Sequence, residues 1–183
     1  MLKLLIALFL WMPILNITHA DELSEIEKAH ELIQGKWKCK QIVESEIFPG
    51  EVNTIWTILP NEMVDDGTFH FSLTIDKVMG SANITGLSVD RYEFVSPNII
   101  VLTPQSTDEK LTDFSKNSTG SYIRDVFFVD YLKIKEDSIA QSEKVFSKIL
   151  LLNNEVLMTV DFEPSAPDNI DNLRQCTRTH NKE

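Results

Sequence analysis

Few side chains in this sequence are of the kinds that do covalent or metal chemistry, and their spacing limits what they can do. There are two cysteines, Cys39 and Cys176, and four histidines, of which His30, His70 and His180 lie beyond the first 20 residues. A serine nucleophile would need a Gly-x-Ser-x-Gly turn, and a zinc site would need His-Glu-x-x-His or paired Cys-x-x-Cys; none of these occurs. No glycine-rich loop cradles a phosphate, and the chain has only six glycines. Asp65-Asp66-Gly67-Thr68 has the carboxylates of a phosphoryl-transfer site, yet Asp-Gly between two apolar runs reads as a hairpin turn. Carboxylates are abundant, but spacing alone singles out no acid/base pair. The sequence assigns no catalytic residue, no metal ligand and no cofactor, so the expectation is a protein that is not an enzyme.

The cysteines point instead to a compartment. Residues 1–20 begin with Lys3, continue through the apolar run LLIALFLWMPIL and end in Thr18-His19-Ala20. That is the pattern of a cleaved secretory signal, and the run is short of the ~20 apolar residues a membrane span requires. In an exported chain an even cysteine count favours a disulfide, here Cys39 with Cys176; free thiols or an intermolecular bridge are the alternatives. The formal net charge is −11 and becomes about −12 without Lys3. A chain so acidic repels phosphate backbones and anionic lipid surfaces, which argues against nucleic acid as a partner and against a stable membrane anchor. Residues 21–183 are expected to form a single domain.

These side chains need elements to hold them. Leu23, Ile26, Ala29, Leu32 and Ile33 recur at helical spacing, Ser24-x-x-Glu27 fits a capping box, and Gly35 is placed to end a helix over 22–34. His30 on that helix reads as surface or packing. From Gly35 the period becomes two: Trp37, Cys39, Gln41 and Val43 share one face of a strand, Lys36, Lys38 and Lys40 the other. Phe69, Phe71, Leu73 and Ile75 alternate with polar residues, including His70, and this strand is expected to pair with residues 54–59 across an Asp66-Gly67 turn. Further strands are expected at 81–87, 89–95, 99–102, 122–135 and 156–162, with NLRQCTRT as the last. Residues 137–149 fit helix or strand equally. The polar stretch 103–121 reads as a long mobile connection, with a lid that touches a ligand as the alternative.

If the first and last strands pair antiparallel with Cys39 facing Cys176, two residues along puts Trp37 opposite Arg178 on the same side of the sheet. Arg178 would lie on the indole face, with Arg174 as the competing partner. A helical lead, Gly35-Lys36-Trp37 on the first strand, a meander of strands and an arginine on the last strand resemble the lipocalin-like, or calycin, barrels, of a small exported bacterial type. Two departures stand out. The clear helix here precedes the strands, where lipocalins place theirs after them, and no Thr-Asp-Tyr turn is present. The resemblance implies a mainly β, antiparallel up-and-down barrel with an N-terminal helix, closed at Gly35, Trp37 and Arg178.

Two roles follow as expectations. In the first, a monomer carries a small apolar ligand inside the barrel, lined by Phe69, Phe71, Leu73, Val126 and Phe128, residues that would otherwise fill a solid core. In the second, an inhibitor or immunity protein against a toxic enzyme uses its acidic surface and the 103–121 loop to bind a basic protein partner. The expected location is the periplasm, or the secreted fraction in a eukaryotic host.

Overall fold

In a computed structural model of the protein, residues 23–43 and 49–180 are described, with the backbone alone for 166–172. The expected leader, residues 1–20, lies outside the described residues. Helix α1 (residues 23–33) leads into eight strands: β1 (Gly35–Val43), β2 (Gly50–Ile58), β3 (Glu62–Ile75), β4 (Val78–Ser96), β5 (Ile99–Phe114), β6 (Val145–Leu152), β7 (Val156–Glu163) and β8 (Ala166–Arg178). Each is hydrogen-bonded antiparallel to the next, and β8 returns to β1. The fold is therefore the closed up-and-down barrel with an N-terminal helix that the sequence predicts. Closure pairs every strand edge at the seam, which removes the exposed edges of an open sheet.

The alternation in β1 does what its pattern requires. Trp37, Cys39 and Gln41 are buried while Lys36, Lys38 and Lys40 stay exposed. Trp37 faces Arg178 and Cys39 faces Cys176 across the seam, and the two cysteines form a disulfide with their Cα atoms 3.9 Å apart. Inside this end of the barrel Trp37, Trp56, Ile58, Met63, Tyr92, Leu102 and Leu157 pack together with the disulfide, and Ile33 of α1 closes the cluster.

The longest strands, β3, β4 and β5, have 14, 19 and 16 residues. Of β5, only Ile99–Leu102 pair with β6, so the rest of β5 has no second strand neighbour. A helical segment packs there instead: α2 (Ser118–Tyr122), a π-helical turn (Ile123–Phe127) and α3 (Phe128–Gln141). Phe71, Leu73, Ala82, Ile84 and Ile123 form a second buried cluster between these long strands and the helical segment.

Several expectations are corrected. Residues 103–121 are no loop; they contain the second half of β5 and the start of α2, where the Asn117 side chain accepts from the Gly120 amide as an N-cap. Residues 122–135 are helical, not a strand. Ile123, Phe127, Phe128 and Tyr131 recur on the helical period and meet the second cluster. The ambiguous 137–149 divides between the end of α3 and the start of β6. Residues 81–87 and 89–95 belong to one continuous β4. β2 and β3 pair as expected, but Asp66-Gly67 is not their turn. The turn lies at Leu59–Glu62, closed by the Leu59 amide donating to the Glu62 carbonyl at 2.8 Å, and Asp66-Gly67 sits inside β3 opposite Ile55 and Thr54.

Candidate functional site

Two tryptophan–arginine pairs stand side by side at the seam, because Trp37 of β1 faces Trp56 of β2. In the first, the Arg178 guanidinium lies over Trp37 with its carbon 4.1 Å from the ring centroid. Its Nη1 donates to the Gln34 carbonyl at 2.6 Å and its Nη2 to the Leu32 carbonyl. Trp37 Nε1 donates to the Ile33 carbonyl at 2.7 Å. These carbonyls belong to the C-terminal end of α1, where a cation and N–H donors complement unpaired acceptors and the negative end of the helix dipole. Gly35 follows at φ +124°, a conformation that favours glycine; a Cβ here would also lie 2.6 Å from Arg178 Nη1. The closure set Gly35, Trp37 and Arg178 is thus one unit that fixes α1 across the barrel end. His30 of α1 adds to it by stacking on Tyr92, with ring centroids 5.7 Å apart.

The second pair opens onto empty space. Arg174 lies over Trp56 at 4.6 Å, not over Trp37, so the two arginines that compete in the sequence each take a tryptophan. Its Nη2 donates to Gln41 Oε1 at 2.7 Å, and among the described residues it forms no ion pair. Above it lie two adjoining, partly enclosed chambers of about 360 and 510 Å³. Both are bordered by Asp65, Ser88, Tyr131, Lys135 and Arg174. The smaller also meets Trp56, Met63, Asp90, Leu102 and Asp161; the larger meets Thr54, Phe69 and Glu109.

The strand register explains how these polar groups come to point inward. Met63 faces Asp90 and Asp65 faces Ser88 across β3 and β4, so all four occupy neighbouring positions of the inner wall. On β5 the register shifts between the partners of Val89 and Asp90: Asp90 faces Pro104, Val89 faces Ser106, and Gln105 is the extra residue. Such a bulge reverses which residues face inward, and proline suits it because it has no amide to give. Beyond the bulge Thr107 and Glu109 join the inner wall, where Ser88 Oγ donates to Glu109 Oε1 at 3.2 Å. Farther along, Gly67 faces Gly86, and a Cβ on Gly67 would lie 2.3 Å from Thr54 Cγ2. Only a residue without a side chain lets the strands approach so closely.

Charge in the chambers is unevenly matched. Asp65, Asp90, Glu109 and Asp161 face two cations, Lys135 and Arg174, among the described residues. Lys135 Nζ is 3.5 Å from Glu109 Oε1, and Asp161 accepts from the Ser147 hydroxyl. Burial raises the Asp65 carboxyl above its ordinary range, against the pull of the nearby Trp56 indole and of Arg174. Burial likewise pushes Asp90 up to about 6, reinforced by Asp65 and opposed by Lys135 and Arg174. Tyr131 is raised by burial and by Glu109. Asp65 Oδ1, Glu109 Oε2 and Trp56 Nε1 are shielded from solvent and complete no hydrogen bond.

The residues expected to line a ligand fall in different places. Phe69 borders the larger chamber. Phe71 and Leu73 are buried in the second cluster, and Phe128 packs against it from α3. Val126 is 40% exposed on the π-helical turn rather than inside a strand. His70 is exposed on β3, with Nδ1 2.7 Å from Asn83 Oδ1, and His180 is exposed after β8. Sequence reasoning missed Asp65, Asp90, Glu109, Lys135 and Tyr131. A signal existed for Asp65: the odd-numbered alternation of Phe69, Phe71 and Leu73, carried back through Gly67, places Asp65 and Met63 on the same face. No family model matches this sequence, and no curated protein matches it.

Proposed function

We propose that this chain is an exported, non-catalytic binding protein of the lipocalin kind, which holds a small organic molecule inside its barrel. The observation that carries the reading is the pair of chambers of about 360 and 510 Å³ within a closed barrel. Ligand pockets for small molecules begin near ~300 Å³. The Trp37–Arg178 clamp on an N-terminal helix supports kinship with lipocalins, on the residues that carry the sequence resemblance. Export is supported by the disulfide, which persists in oxidising compartments such as the bacterial periplasm, and by the apolar run after Lys3. The reading as a binder of a basic protein loses one support, since the loop it relied on is strand and helix.

Native mass spectrometry of the disulfide-bonded protein, purified without denaturation from its own host, tests the reading. The expected result is a bound mass of small-molecule size that is lost on unfolding. A uniformly ligand-free protein whose thermal midpoint no member of a chemically diverse small-molecule panel shifts would overturn it.

A further inference from the structure

We propose that the smaller chamber is a site for a small organic cation, with an amine head between Asp65 and Asp90 and an apolar body against Trp56, Met63 and Leu102. The inference rests on the reading of the barrel as a small-molecule container and names the class of its cargo.

Placement comes first. Because Met63 faces Asp90 and Asp65 faces Ser88, the two carboxylates are diagonal neighbours on one wall of the chamber. Diagonal neighbours in a sheet stand ~7–8 Å apart, within reach of one another's longer side chains. An ammonium with three N–H donors can serve two carboxylates at that separation. Next to them Trp56, Met63 and Leu102 supply an apolar surface.

Charge then decides between a cation and an anion. An anionic ligand would pair with Arg174 and Lys135 but would enter a chamber where three carboxylates, Asp65, Asp90 and Asp161, outnumber those two cations. At Asp65 and at Asp90 burial outweighs the pull of both cations, so these carboxylates are under-compensated as they stand. Asp65 Oδ1 is shielded from solvent and completes no hydrogen bond, although the Trp56 indole and the Thr54 hydroxyl lie near the carboxyl and partly offset its burial. A buried carboxylate short of partners is costly, and an incoming ammonium removes that cost where an anion adds to it. The bulge opposite Asp90 fits the same assignment, since bulges near sites re-aim side chains, and this one turns Glu109 into the larger chamber.

Isothermal titration calorimetry on the whole disulfide-bonded protein tests the proposal with three matched probes: phenethylamine, phenethyl alcohol and hydrocinnamate. Near neutral pH the amine should bind at least about ten-fold more tightly than the alcohol, as one charge-assisted hydrogen bond requires, and hydrocinnamate most weakly. Asp65→Asn and Asp90→Asn should each weaken the amine by about ten-fold and leave the alcohol unchanged. Should either variant fail to fold, acidification of the unsubstituted protein serves in its place. Asp90 faces Asp65 of β3, Lys135 of α3 and Arg174 of β8, and its carboxyl, pushed up to about 6, becomes protonated as pH falls through that value, so amine affinity should drop between about pH 7.5 and pH 5 while alcohol affinity holds. An alcohol or carboxylate that binds as tightly as the amine would overturn the cation site and leave the container reading standing. So would an amine affinity indifferent to both substitutions and to acid. Failure of all three probes also overturns the cation site, and the copurifying ligand then decides separately whether the barrel is a container.

Discussion

The two tryptophan–arginine pairs differ in how many hydrogen bonds tie them to the backbone: three in one pair, none in the other. At the closed end Trp37 and Arg178 direct three hydrogen bonds to carbonyls of residues 32–34. Neither side chain could move without stranding a buried acceptor. One rung across, Trp56 completes no indole hydrogen bond, and Arg174 has a single bond to a side chain. The same chemistry serves as a weld in one place and as a loosely held wall in the other. Three bonds to one short stretch of chain hold the seam even though Arg178 Nε completes none, whereas the pair beside the chamber is tied only through Arg174 to Gln41.

That contrast can be broken at several points. Trp37→Ala should have the largest effect, a loss of ~3–5 kcal/mol in chemical denaturation, because a fully buried indole is removed from the packed end. The double replacement Cys39→Ser with Cys176→Ser should cost ~2–4 kcal/mol by the same measurement, since the bond closes a loop spanning 137 residues. Arg178→Met should follow at ~2–3 kcal/mol, for it strands two carbonyls at the end of α1. Asp90→Asn addresses the other region and carries the opposite sign. The folded carboxyl titrates near 6, above its ordinary 3.8, so its contribution is full below the ordinary value and is lost as pH rises through about 6. The unsubstituted protein should therefore gain stability relative to Asp90→Asn as pH falls from neutral to about 5, by ~1–1.5 kcal/mol in denaturation curves at the two pH values. Arg174→Met should be the mildest, within ~1 kcal/mol, and equal losses for Arg174→Met and Arg178→Met would erase the distinction between weld and wall.

What the sequence made legible follows the same division. The seam could be read because β1 and the end of β8 alternate without interruption: parity put Trp37, Cys39, Arg174, Cys176 and Arg178 on one face, and the expected disulfide set the register that leaves Trp37 opposite Arg178. The chamber could not be read that way. The extra Gln105 shifts β5 by one residue, so no single alternation runs through 99–114, and the polar side chains that line a charged cavity look like a loop. Asp65 was hidden by its neighbours, because Asp-Gly inside a strand looks like the commonest hairpin turn. The helical segment was hidden by composition: Ile123, Val126, Phe127, Phe128, Val129 and Tyr131 are residues that strands favour, and it is Ile123, Phe127, Phe128 and Tyr131, on the helical period, that pack against the long strands while the two valines stay exposed. Capping by Asn117 was the local clue.

Because the bridge joins the first strand to the last, most of the polypeptide lies within a covalent ring from residue 39 to residue 176. One proteolytic cut anywhere in that ring, for instance at the exposed Asn153-Asn154 turn, releases no fragment. The severed pieces stay tethered and hydrogen-bonded to their neighbours around the cylinder, so a nicked molecule keeps its barrel for as long as the bridge stays oxidised.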